Sequence, residues 1–225
     1  MPAFNSDPLV KAQCLAQLTT DIDYVREVIG LIQQQNMYGG AFTEQKVNKL
    51  GIPSWLARLV SAILDGQPAD NSGAYLVQTL KAIPVGADLS VVEWQLAIVR
   101  ANKTLTALTN NDEDYAKETR AAIELCKDYC NSVLTGNPVY SKLVEAIDAC
   151  EQAAAHARLA LSQTNPEAWS YQSAAQSAVQ SLTRSSRATV SAAQVFRGQP
   201  EVDYYVFESL MLTYLLAKAP IPAPT

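Results

Sequence analysis

The chain has 225 residues, a formal net charge of −5 and only 17% charged side chains. That balance excludes nucleic acid as a partner, because phosphate binding needs clustered Lys and Arg to release counterions. Hydrophobic residues make up 48%, enough for a large core without metals or disulfides and far from a disordered composition. No apolar run approaches the roughly 20 residues of a membrane span, and the opening residues read straight into a helix rather than a secretory signal. Cys14, Cys126, Cys130 and Cys150 are scattered unlike a secreted disulfide scaffold, so a cytoplasmic setting is expected.

Helix signals run from end to end. Asp7-Pro8, Asn137-Pro138 and Asn165-Pro166 each put a capping side chain before a proline that lacks an amide needing a partner. The first helix is predicted over 8–35, where Leu18, Ile22, Val25, Ile29 and Ile32 form one apolar stripe and Asp21, Asp23 and Glu27 lie off it. Shorter helices are expected over 43–50, 53–64 and 74–82, with a turn at 83–87. Ser90-Val91-Val92-Glu93 reads as a capping box. The helix it opens, 90–108, carries two stripes, Trp94, Ile98, Ala101, Leu105 and Leu108 on one and Leu89, Val92, Leu96 and Val99 on the other. A helix apolar on two faces belongs in the centre of a domain.

The polar, acidic stretch 109–114 is the best internal boundary. It divides an N-terminal half, 1–109, from an Ala- and Ser-rich half, 110–219, with the two expected to pack as one globular unit and a Pro-rich tail at 220–225. Helices are predicted over 115–134, 140–163, 167–196 and 201–218, and Gly66, Gly136 and Gly198 fall where helices should stop. Small residues on facing helices let backbones approach closely, which favours a tight antiparallel bundle. No strand-like alternation or hairpin turn is present. The fold class is all-α, a multi-helix bundle of about eight or nine helices, mostly antiparallel.

Candidate chemistry is sparse. His156 is the single histidine, which excludes the paired-histidine metalloprotease and di-iron motifs. As a general base it needs an orienting carboxylate, and none is visible beside it in the chain; a surface or structural histidine is the plainer reading. Cys126 and Cys130 lie one turn apart, and Cys150 with His156 would complete a Cys3His zinc set. A six-residue offset turns about 240° round a helix, however, so Cys150 and His156 do not face one metal, and buried cysteines are commonly small core hydrophobes. The carboxylates Asp112, Glu113 and Asp114 read as a loop-to-helix cap. No catalytic residue, cofactor or metal site is therefore assigned.

Arg184 and Arg187, with Arg197 beyond, form a modest basic strip, which reads either as ordinary surface arginines or as a site for an acidic partner. Tyr204, Tyr205, Phe207 and Tyr214 circle the last helix. Helix packing accounts for them, but aromatics are also enriched at interfaces. Arg184, Arg187, Tyr204, Tyr205, Phe207 and Tyr214 are thus the candidate partner surface.

Two phrases, Gly51-Ile52-Pro53-Ser54-Trp55-Leu56-Ala57-Arg58-Leu59 and Ala82-Ile83-Pro84-Val85-Gly86-Ala87-Asp88-Leu89-Ser90, resemble stretches of uncharacterised bacterial all-helical proteins. The Ala-rich second half resembles helical immunity proteins of bacterial toxin systems. The lack of catalytic groups and the net charge point to a non-enzymatic protein that binds another protein or itself through a helical surface; the resemblance implies an immunity-type antagonist, and acidity would suit a basic partner. A small-molecule or lipid-binding bundle with a cavity around Trp94 and Ile98 is an alternative. So is an enzyme whose site is assembled from scattered Tyr, Glu, Arg and Cys.

Overall fold

The structure is a computed structural model that describes residues 2–20, 50–67, 69–108, 111–163, 165–198 and 203–223. Among them are nine α-helices: α1 (Pro8–Thr20), α2 (Ser54–Gly66), α3 (Ala69–Ala82), α4 (Val92–Ala107), α5 (Asp114–Leu134), α6 (Tyr140–Ser162), α7 (Ala168–Leu182), α8 (Arg187–Val195) and α9 (Tyr204–Ala217). A 3-10 turn spans Ala3–Ser6, and no strand occurs among the described residues. The protein is all-α, as its periodicity dictates. No described helix is long and apolar enough to cross a membrane. The chain divides into two compact units, Met1–Glu93 with Ser209–Thr225, and Trp94–Glu208.

In the first unit, α1 starts where Asp7-Pro8 predicts. Asp7 Oδ1 accepts the N–H of Leu9 at 2.8 Å, satisfying one of the orphan amides of the first turn. The expected continuation to residue 35, with its stripe and with Asp21, Asp23 and Glu27, lies outside the described residues, as does nearly all of the helix expected over 43–50. In α2, Leu56, Leu59, Val60, Ile63 and Leu64 are buried at helical spacing. The next helix, α3, begins five residues ahead of the predicted 74, because 69–73 is rich in residue types that favour a first helical turn as much as a loop. At its other end Lys11 Nζ donates to the carbonyls of Lys81 (2.8 Å) and Ile83 (2.6 Å), closing acceptors that the helix cannot satisfy itself.

The segments 51–59 and 82–90 meet the same turn. Phe4, Asn5 and Ser6 are left-handed, with φ of 52°, 52° and 60°, and Ala3 and Phe4 are fully buried. The Phe4 amide donates to Leu50 O at 2.7 Å, the Ala3 amide to Ala87 O at 3.0 Å, and the Gly86 amide to Ala3 O at 2.8 Å. Gly51 has φ +63°, and a Cβ there would overlap the Pro2 carbonyl oxygen, so only glycine fits. The capping box is not made as predicted. Ser90 gives its amide to Asp88 Oδ1 at 2.9 Å, and α4 begins only at Val92, after a tight Val92-to-Leu89 turn of 3.2 Å. The hydrogen bonds from Ser90, backbone first, hold the Asp88 carboxyl below the usual carboxylate range.

The second unit is built on α5, α6 and α7. Five residues link α5 to α6, and their pairing is antiparallel: Glu118 meets His156 while Cys150 Sγ donates to Ala122 O at 3.5 Å. Ala146, Ala153 and Ala157 of α6 and Ala174, Ala175 and Ala178 of α7 are buried, the small residues that allow close helix approach. The α5 helix ends in a Schellman turn: Gly136 (φ +76°) donates to Val133 O at 3.0 Å and Asn137 to Ser132 O at 2.8 Å. Asn137 therefore finishes α5, and α6 starts at Tyr140 rather than at the Asn-Pro signal.

The predicted single helix over 167–196 is in fact two. The chain breaks after Leu182 in a second Schellman turn, with Arg184 to Ser181 O at 3.2 Å and Ser185 to Gln180 O at 2.8 Å. A non-glycine residue, Arg184 at φ 57°, holds the left-handed position. The usual glycine signal is missing, which is why periodicity runs straight through. Around the break, Thr183 Oγ1 returns to Val179 O at 3.0 Å, the side-chain competition that weakens a helix in Ser- and Thr-rich sequence.

Candidate functional site

Among the described residues, depressions open on the surface of α6. The first is a polar cleft of 410 Å³ between the start of α5 and the end of α6. Asn111 braces two of its lining residues: its Oδ1 accepts the amide of Glu113 at 2.9 Å, fixing the approach to α5, while its Nδ2 donates to Tyr115 Oη at 3.0 Å. Asn165 donates its own Nδ2 to the same phenol oxygen at 3.0 Å. The Tyr115 ring is 7% exposed and stands edge-on to Tyr171 at 5.3 Å. Burial pushes the phenol above its ordinary range, and the hydrogen bonds from the two asparagines oppose the shift.

Across the cleft, His156 Nδ1 pairs with Glu118 Oε2. This is the orienting carboxylate that the sequence around His156 lacks, and it comes from the neighbouring helix, 38 residues away. The side chains are 52% and 45% exposed, so the pair contributes at most about 1 kcal/mol to folding. Its value is geometric: the pairing fixes the orientation of the His156 ring. No serine, cysteine or threonine lines the cleft among the described residues.

The second depression, a trough of 490 Å³, runs between α6 and α7. Glu151, Ala154, Ala155 and Arg158 of α6 and Gln176 and Val179 of α7 line it. Leu159 borders both depressions and is 60% exposed.

The residues singled out from sequence are distributed differently. Tyr204, grouped there with the surface aromatics, is 2% exposed and stacks on Phe196 at 5.2 Å, so its ring serves the core. Burial, then the neighbouring Glu208 charge, pushes its phenol well above the ordinary range. Phe207 is half-buried with the Lys103 ammonium 5.0 Å over its ring, and Tyr205 is half-buried. Tyr214, in the other unit, is half exposed and interacts with Lys218, whose Nζ lies 4.4 Å over its ring. Arg184 and Arg187 are exposed at the α7–α8 corner, and the Arg184 guanidinium lies 4.9 Å over Trp94, whose ring packs edge-on to Tyr129 at 5.8 Å. These contacts tie Trp94 into the helix packing.

The three thiols Cys126, Cys130 and Cys150 are fully buried, and Cys126 Sγ donates to Ala178 O at 3.7 Å. Burial raises the Cys150 thiol to about 12; hydrogen bonding to Cys130 and burial raise Cys126. Among the described residues no three His, Cys, Asp or Glu side chains are arranged to hold a metal ion. The convergence of Asn111, Asn165 and Tyr115, and the pairing of Glu118 with His156, were not read from sequence. The signal for the second exists: a short link between two helices puts 118 opposite 156 once 122 is opposite 150. Comparison of the chain with protein-family models, with curated proteins and with solved structures finds no match in any of the three.

Proposed function

We propose that the chain is a non-enzymatic, cytoplasmic interaction protein, of the immunity-type antagonist kind, that takes a segment of one protein partner onto α6. The observation that carries this reading is Leu159, 60% exposed between an apolar trough and a polar cleft. A large exposed aliphatic side chain flanked by a concave apolar surface is the usual core of a protein contact, with polar groups at its rim. Burying such a leucine contributes about 1.5 to 3 kcal/mol, equivalent to roughly tenfold or more in affinity. The net charge of −5 favours a basic partner, because complementary charge speeds encounter and rejects wrong partners. Buried thiols that donate to carbonyls suit a reducing compartment.

The test is capture from a lysate of the source organism at low and high salt, comparing the chain with its Leu159→Asp and Leu9→Asp variants. Leu9 is likewise exposed but belongs to the other unit. A protein retained at low salt by the chain and by Leu9→Asp, and lost with Leu159→Asp, supports the reading. Retention by Leu159→Asp, or capture of nothing, removes it.

A further inference from the structure

The donor and acceptor balance of the polar cleft narrows what it can hold. His156, paired with Glu118, is one of the residues that line it. Asn165 commits its amide nitrogen to Tyr115, which leaves its carbonyl oxygen. Glu113 and Asp114 add exposed carboxylates, and Leu159 and Ala160 supply an aliphatic wall. Acceptors and negative charge around an aliphatic wall match a cation with several N–H donors at the end of a methylene stem. Tyr115 adds a donor. Its oxygen already accepts from both asparagines, so its own hydrogen is required by neither and can go to a carbonyl. The ring is nine-tenths buried and braced by Tyr171, so that donor is held in place. A cation and a carbonyl within one ligand describe a basic residue of a polypeptide better than a free amine.

We propose that this cleft receives an arginine or lysine side chain of the protein partner, the cation facing Glu113 and Asp114 and the adjoining peptide carbonyl meeting the Tyr115 hydroxyl. That the side chain belongs to a partner rests on the interaction reading above; that the cleft binds such a cation does not.

The probe is N-acetyl-arginine amide, titrated into the intact chain and followed by the NMR signals of the Asn165 and Gln163 side-chain amides and the His156 ring. Neutral N-acetyl-citrulline amide and agmatine, which has a guanidinium but no peptide carbonyl, serve as comparisons. Saturable shifts with the arginine derivative are expected, with none from citrulline and weaker binding of agmatine. The exposed-site variant Glu113→Gln/Asp114→Asn should lose at least fivefold in affinity. No shift with the arginine derivative, or equal shifts with citrulline, overturns the proposal. Agmatine binding tenfold more tightly than the arginine derivative overturns the partner assignment, because the ligand is then a free amine. Ala155→Trp fills the trough without lining the cleft and should leave this titration unchanged. Leu159-dependent capture without titration therefore removes the cleft proposal alone, and titration without capture removes the interaction reading alone.

Discussion

At the scale of single residues, backbone handedness separates positions that look alike in sequence. Gly51 and Gly136 both sit at positive φ, but a Cβ at Gly51 would meet the Pro2 carbonyl whereas nothing lies within 4 Å of one at Gly136. Gly136→Ala should therefore cost about 1 kcal/mol, the conformational penalty alone. Gly51→Ala should cost about 3 kcal/mol or more, since the left-handed turn at Phe4 must also move. Urea denaturation of the two variants reads the difference, and equal costs would mean that the Pro2–Gly51 contact is not made in solution. Arg184 is the reverse case, a side chain where glycine is expected. Arg184→Gly relieves the left-handed strain but loses the contact over Trp94, two effects of about 1 kcal/mol each and opposite in sign. Arg184→Ala keeps the strain and loses the contact, so thermal melts should place Ala below both Gly and the parent.

At the scale of helices, α4, α8 and α9 are joined by buried polar groups as well as by apolar packing. Arg100 donates Nε to Glu208 Oε1 at 2.9 Å and pairs through Nη2 with the same oxygen; Thr189 Oγ1 accepts from Arg100 at 3.1 Å and donates to Glu208 at 2.9 Å. Arg100 and Glu208 are both buried. Such a pair adds little net stability, because desolvation offsets the attraction, but removing one partner strands a buried charge. Glu208→Gln should cost about 3 to 5 kcal/mol, while Arg100→Met/Glu208→Leu should cost markedly less than the sum of the two single changes. A double-mutant cycle in urea measures this. Additive costs would mean that the two groups do not interact. The exposed His156–Glu118 pair is the contrast, and His156→Ala should change stability by less than about 1 kcal/mol.

At the scale of the molecule, titration sets the pH range of stability. The Cys150 thiol is raised to about 12 from an ordinary value of 9.0, and Cys14 and Cys126 are raised too, with Tyr115 and Tyr204 moved in the same direction. A group with a raised folded pKa keeps more protons folded than unfolded. Its contribution is complete below the unfolded value and is lost as pH rises through the folded one. Stability should hold at neutral pH and fall continuously from about pH 9 upward, as denaturant midpoints taken between pH 7 and pH 11 can establish. Asp88 acts oppositely: its carboxyl is lowered, so its share is present above the ordinary carboxylate value and disappears as pH falls through the lowered one. Because the thiolate is the reacting form, Cys126 and Cys150 should resist iodoacetamide at pH 8 in the native protein and label fully in denaturant. Rapid native labelling would mean that the α5–α7 core opens readily.

What the sequence determined by itself is what short-range physics controls. Apolar spacing specified an all-α fold and located α2, α5 and α6 to within two residues; Asp7 before Pro8 placed the start of α1; cysteine chemistry placed Cys126, Cys130 and Cys150 in the interior. Each depends on neighbours within a turn or two of helix. The break at Arg184, the burial of Tyr204 against Phe196, the meeting of Glu118 with His156 and the ion pair of Arg100 with Glu208, 108 residues apart, were decided by tertiary structure. Those depend on the register at which helices pack, and register is set by the fit of whole helix faces, which no local window of the chain contains.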